Sequence, residues 1–113
     1  MLFGKKASPD QGQIQVAYQQ HLPETKKLLI YNMGKSSLKT VHLVIINETE
    51  EWFEYPCEPI SARSNEVVDF GNTMAVDGKL FTGNILKVTV KVNNSTVVFT
   101  PNVNGRFDLI QLI

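Results

Sequence analysis

The chain has 113 residues, of which 42% are hydrophobic and 19% charged, and its eleven basic and eleven acidic side chains cancel to a formal charge of zero. This length is typical of a single domain. The neutral balance argues against nucleic-acid binding, for which a basic domain is expected. The single cysteine excludes an internal disulfide framework and a zinc site made of several cysteines.

The N-terminal residues 1–12 become polar after Met1–Phe3 and predict a flexible arm, followed by one domain over residues 13–113. The sequence contains neither the apolar run of about 7–15 residues of a signal peptide nor the roughly 18 apolar residues of a membrane span. We therefore expect no membrane insertion and a location in a virion or the cytoplasm. The extracellular surface is the alternative if the chain is one domain of a longer protein.

Strands are predicted wherever apolar and polar residues alternate between turn residues. Residues 85–92 alternate cleanly, and Asn93-Asn94 then turns the chain into a hairpin. Residues 44–46 are apolar on both faces, which is typical of a central strand. The predicted strands are residues 13–19, 27–33, 38–47, 51–57, 66–70, 85–92, 95–100 and 106–112.

The segment 51–57 is predicted at a sheet edge, because Pro56 and Pro59 have no backbone donor. Residues 74–83 read as a loop, and no segment has sustained helical periodicity. The sequence therefore predicts an all-β fold, a single immunoglobulin-like or jelly-roll-type β-sandwich of about 7–8 antiparallel strands.

The residues that could carry chemistry do not form a recognisable catalytic pattern. His21 and His42 have no second histidine nearby and form no local metal pair, although His42 could still meet Asp69 or Glu66 in space. Cys57 lies among carboxylates, which raise the pKa of a thiol and disfavour a nucleophilic role. We expect a protein that is not an enzyme and has no cofactor.

Two further patterns support no site on their own. The glutamates of residues 48–58 lack the glycine turn of a calcium loop. Asn47, Asn93 and Asn94 begin matches to the glycosylation acceptor pattern. Such matches are frequent by chance, so their firmer meaning is that the chain turns there.

Aromatic and charged residues indicate a contact surface instead. Alternation places Phe53 and Tyr55 on one face of their strand and Trp52 on the other, so the first two are also candidates for the core. Residues 1–39 carry six lysines and two acidic residues, whereas residues 48–58 carry five glutamates and no cation. This segregation could orient one copy against another, or it could merely keep an edge strand soluble. The predicted interface residues are Trp52, Phe53, Tyr55, Glu50, Glu54, Lys5, Lys6, Leu112 and Ile113.

Residues 29–43, LIYNMGKSSLKTVHL, carry the pattern Asn-x-Gly, small polar residue, Leu, x-x-Val. This run resembles the strand-turn-strand of immunoglobulin-like surface modules in archaeal pilins, archaellins and archaellum stator proteins. Residues 59–68 resemble the element that follows it, and the hairpin 87–100 resembles the last two strands. The resemblance covers residues 26–100 and implies a non-catalytic β-sandwich that carries interactions.

Filament subunits of that family also have a hydrophobic N-terminal helix, which this chain lacks. By analogy, a virion coat, turret or decoration protein fits better. We expect a structural protein that contacts itself as a homo-oligomer or docks on other subunits of an assembly. A surface-appendage or S-layer-associated module is one alternative. A binding module for a small ligand or carbohydrate, with Trp52 and Tyr55 as a stacking platform, is another.

Overall fold

The structure is a computed structural model and describes residues 13–93 and 95–112. Lys5, Lys6 and Ile113 lie outside the described residues, as does the predicted arm. The described part of the chain forms eight strands and two short 3-10 turns, Gln19–His21 and Pro23–Thr25. The strands are β1 (Ile14–Tyr18), β2 (Leu28–Asn32), β3 (Val41–Asn47), β4 (Trp52–Cys57), β5 (Asn65–Val68), β6 (Ile85–Val92), β7 (Ser95–Pro101) and β8 (Phe107–Leu112).

The strands form two antiparallel sheets, a three-stranded sheet in the order β1-β2-β5 and a five-stranded sheet in the order β4-β3-β6-β7-β8. In immunoglobulin domains the first, second and fifth strands likewise share one sheet, and the third, sixth and seventh share the other. Here β4 joins the larger sheet and β8 extends it. The predicted all-β sandwich is confirmed.

The core lies between the inner faces of the two sheets. Val88, Val90 and Val92 of β6 are fully buried, as the alternation of this segment predicts. In β3, Leu43 and Ile45 enter the core, while the outward Val44 and Ile46 are also buried. The central position of β3, paired on both sides, is therefore confirmed.

Two buried asparagines shape the turns between strands. Asn32 is fully buried, donates its side-chain amide to the carbonyls of Ser36, Ile60 and Ser61, and accepts a bond from the N–H of Gly34. It thus connects two loops to the end of β2. Asn47, which is 1% exposed, does the same at the turn between β3 and β4. Short amides that satisfy turn backbone groups explain why asparagine occurs at these positions.

The loop between β5 and β6, residues 69–84, is held down by aromatic side chains. Phe81 packs edge-on against Phe53 and Phe70, with ring centroids 5.0 Å apart in each pair. The loop also contacts the edge of β4, since the N–H of Val76 donates to the carbonyl of Glu54 at 3.0 Å. The loop therefore covers the β4 edge at Glu54.

The two sheets meet differently along their two sides. Along the first, which we call the closed seam, β1 and β8 converge. Ala17 bridges to Arg106, and the N–H of Tyr18 donates to the carbonyl of Gly105 at 3.1 Å. Along the second, the open seam, β4 and β5 are the edge strands of their sheets and leave a groove between them. The edge position predicted for residues 51–57 is confirmed.

Candidate functional site

The groove of the open seam has a volume of about 360 Å³ and a largely apolar lining. Three of its apolar side chains are unusually exposed, with Val67 at 43%, Met74 at 62% and Val76 at 59%. Burying such groups against a partner is favourable, because apolar area is removed from water. The lining residues are Tyr55, Pro56, Cys57, Glu58, Glu66, Val67, Val68, Asp69, Thr73, Met74 and Val76.

The charge of this groove is entirely negative. Glu58, Glu66 and Asp69 line it, and none of its described lining residues is basic. Glu66 lies directly opposite Ile30 in the β2–β5 register, so both side chains are on the inner face of the small sheet. Its carboxylate therefore points between the sheets at the edge. Among the described residues, it has no ion-pair partner.

Two titratable groups of the groove are held in their neutral forms. Burial raises the pKa of Tyr55 to about 12, with a further contribution from the charge of Asp77. The Tyr55 hydroxyl is buried and has no hydrogen-bond partner among the described residues. Burial likewise raises the pKa of Cys57 to about 11, and the charge of Glu66 adds to it. Both groups stay protonated near neutral pH, so Cys57 is a poor nucleophile there; the sequence pointed to carboxylates, but burial is the larger cause.

A second groove, of about 490 Å³, lies at the closed seam. Its lining mixes charges of both signs, with Arg106 and Asp108 together with His21. The backbone bridge between Ala17 and Arg106 closes one part of it. It lacks the single sign of charge that distinguishes the groove of the open seam.

Trp52 lies on the outer face of the large sheet and is 61% exposed. It is directly opposite the buried Ile46 in the β3–β4 register. On the same face, Nε2 of His42 and Oε2 of Glu54 are 3.3 Å apart. Both side chains of this pair are partly exposed, and neither lines either groove. His42 thus pairs with Glu54 and not with Asp69 or Glu66. The pair lies on an open sheet face, which does not enclose a substrate.

The aromatic residues of β4 are divided between the two faces. Phe53 and Tyr55 belong to the core, at 1% and 2% exposed, and are not available at the surface of the folded protein. The stacking platform of Trp52 and Tyr55 is therefore not formed, because alternation along the strand sends the two rings to opposite faces. Of the other predicted interface residues, Glu50 is exposed and Glu54 partly buried. The side chain of Leu112 lies outside the described residues.

The glutamates of residues 48–58 do not form one patch. Glu48 accepts a bond from the N–H of Asn84 at 2.7 Å, and Glu51 accepts bonds from Asn47 and Thr49 at 3.0 and 3.2 Å. Glu54 faces His42, and Glu58 lines the groove. The glutamates that are close together in the sequence thus lie in separate places in the fold. Among these places, only the groove carries a concentrated negative charge.

The glycosylation pattern at Asn47 has a structural explanation. The amide nitrogen of Asn47 donates to Glu51 and to the carbonyl of Thr82, and its oxygen accepts from Thr49 and the N–H of Glu51. A glycan on this buried nitrogen is incompatible with these bonds. The residue serves the turn. Asn93 is exposed in the β6–β7 turn, and Asn94 lies outside the described residues.

In the part of the chain that the structure describes, no group of three or more histidine, cysteine, aspartate or glutamate side chains is arranged to hold a metal ion. No described helix has the length and apolarity that crossing a membrane requires. No family model, curated protein or solved structure matches the chain.

Proposed function

We propose that this protein is a non-enzymatic assembly component that acts through protein–protein contacts. The observation that carries the proposal is that exposed apolar side chains lie both on edge strand β4 and in the loop beside it. Trp52 lies on the outer face of β4, and Met74 and Val76 lie at the groove beside it. Tryptophan and methionine are enriched in interfaces, and an exposed apolar cluster on a small domain is typical of an interaction site.

The chemistry of the groove supports contact over catalysis. Its thiol and its phenol, Cys57 and Tyr55, both have a raised pKa, and an activated nucleophile needs a lowered one or an adjacent base. The groove also suits assembly, because its exposed apolar side chains lie at an edge of the sandwich that a second chain can reach.

As the setting of this assembly we propose a virion, with the protein as a coat, turret or decoration subunit. The sandwich fold with exposed edges supports this setting, and so does the resemblance of residues 26–100 to interaction modules of archaeal surface structures. A surface appendage or S-layer is the alternative setting. Mass spectrometry of purified particles tests it: we expect a fixed ratio to the main coat protein, and absence from them contradicts the virion.

Self-association of the purified protein is the direct test of the function. We expect size-exclusion chromatography with light scattering to give a mass that rises above that of the monomer with concentration. Trp52→Ser should weaken association about tenfold with little change in stability, since the side chain is 61% exposed.

Val103→Ser is the matched control, because Val103 is 99% exposed in the β7–β8 turn and lines neither groove. A strict monomer at high concentration, together with no defined partner in reconstitution with the other particle proteins, contradicts the function. If Trp52→Ser and Val103→Ser changed association equally, Trp52 would not belong to the interface.

A further inference from the structure

The groove of the open seam combines exposed apolar side chains with negatively charged ones. An apolar segment that carries positive charge is complementary to it. We propose that the groove binds residues 1–6 of a second copy of this chain, an inference that rests on the proposed assembly function and names its partner. The described structure begins at residue 13, so these residues belong to the twelve that precede it.

The apolar half of the match is provided by Met1, Leu2 and Phe3. Their counterparts are Val67, Met74 and Val76, which are between 43% and 62% exposed around the groove. Contact between the two sets removes apolar surface from water on both partners, which is the main favourable term in association.

The charged half is provided by Lys5 and Lys6, which follow the apolar residues after one glycine. The groove presents Glu58, Glu66 and Asp69 without a basic lining residue in the described part. Glu66 gives the strongest reason for a cation, because it points between the sheets and has no described ion-pair partner. A lysine from another copy can pair with this carboxylate, and complementary charge fixes the orientation of the contact.

Tyr55 also lines the groove, but it is a core residue 2% exposed, and its hydroxyl is buried without a partner among the described residues. The part of β4 that borders the groove contains Pro56, which has no N–H to offer a further strand. The segment is therefore held by its side chains in the groove.

A second copy is the source that the proposed assembly function requires. Strand β1 and strand β5, which borders the groove, lie at opposite edges of the order β1-β2-β5, two interstrand spacings of about 5 Å apart. Six extended residues reach about 20 Å, so the same chain is the competing source, and disulfide trapping separates the two. A segment of one copy in the groove of the next is a head-to-tail contact, which builds rings or filaments.

Charge-swap variants of the full chain test the proposal by light scattering. Lys5→Glu with Lys6→Glu, and Glu58→Lys with Glu66→Lys, should each weaken self-association about tenfold. The chain with all four substitutions should regain association, and the two double variants mixed should form alternating assemblies that contain both in equal amounts. Lys35→Glu with Lys39→Glu, which changes two exposed lysines outside the groove, is the control and should associate as the wild type does.

Disulfide trapping distinguishes a second copy from the same chain. In a Cys57→Ser background, Leu2→Cys with Val67→Cys should give covalent dimers and larger species on oxidation, whereas Leu2→Cys with Val103→Cys should not. A disulfide formed only within monomers overturns the proposal. The proposal is also overturned if the wild type associates and the charge-swap variants associate equally well. The assembly function stands in that case. A wild type that remains a monomer overturns the proposal, and it overturns the assembly function as well if reconstitution with the other particle proteins gives no defined partner.

Discussion

The closed and open seams join the same two sheets by different means. At the closed seam the strands share a backbone bond from Tyr18 to Gly105, and the rings of Tyr18 and Phe107 are 5.0 Å apart. At the open seam the sheets are connected through the loop of residues 69–84, and beyond it Glu66 points between them. An inward-pointing charge prevents an edge from pairing indiscriminately. The closed seam is thus joined directly by backbone and ring contacts, whereas the open seam is joined by a loop that leaves a groove between the sheets.

The largest expected effect concerns the loop that bridges the open seam. Phe81→Ala removes a side chain that is 7% exposed and contacts the rings of both Phe53 and Phe70. The free energy of unfolding should fall by about 3–5 kcal/mol, the usual cost of deleting a buried phenylalanine. Chemical denaturation measures it. Leu80→Ala, at a neighbour 48% exposed, should cost less than about 1 kcal/mol, and equal losses would show that the loop is not anchored by its aromatic residue.

At the closed seam, the backbone itself limits substitution. Gly105 has φ of +72°, and a Cβ there would collide with the backbone carbonyl of His21. Gly105→Ala should therefore lower the free energy of unfolding by about 2–4 kcal/mol. The new side chain strains a left-handed backbone position and forces one of the two turns to move. Gly78→Ala isolates the strain, because Gly78 has φ of +87° with no atom within 4 Å of the added carbon, and should cost about 1 kcal/mol. If Gly105→Ala and Gly78→Ala lowered the free energy of unfolding by similar amounts, the two backbone segments at the closed seam could move apart at little cost.

The strands of both sheets could be read from the sequence, because each is a local pattern. Alternation in β6 and the central apolar run of β3 follow directly from which side chains must face the core. The edge position of β4 followed from Pro56 and Pro59, which cannot donate to a second neighbour. Strand pairing between distant segments has no comparable local signal, so the sequence did not show which edges would meet.

The groove escaped prediction for that reason. Its residues come from three separate stretches, 55–58, 66–69 and 73–76, which only the topology brings together. Glu66 was read as one side chain of a short strand, and its inward direction depends on its register with Ile30. A partial signal existed in Met74 and Val76, two apolar residues in a segment otherwise typical of a loop.

The next prediction concerns Tyr55, which lies at the open seam. Tyr55→Phe removes a buried hydroxyl that has no described partner, so the free energy of unfolding should stay the same or rise by up to about 1 kcal/mol. The pKa of Tyr55 is raised to about 12 in the folded state. The neutral phenol's contribution is therefore complete below the unfolded pKa, near 10, and is lost as pH rises through the folded value.

Alkaline denaturation curves of the wild type and Tyr55→Phe test this sign. The wild type should lose stability more steeply between about pH 10 and 12, and the variant should lose less. A variant destabilised at pH 7 would show that the hydroxyl has a hydrogen-bond partner in solution.

The smallest effect is expected at the turn that leads into β4. The side-chain amide of Asn47 and the hydroxyl of Thr49 donate to the Glu51 carboxylate and lower its pKa. A lowered pKa means that the contribution of the ionised group is present above the unfolded pKa and is lost as pH falls through the folded value. Thr49→Val removes one donor, so NMR titration should show the pKa of Glu51 rising toward its ordinary value. An unchanged pKa would show that Asn47, and not the Thr49 hydroxyl, holds the carboxylate in its ionised form.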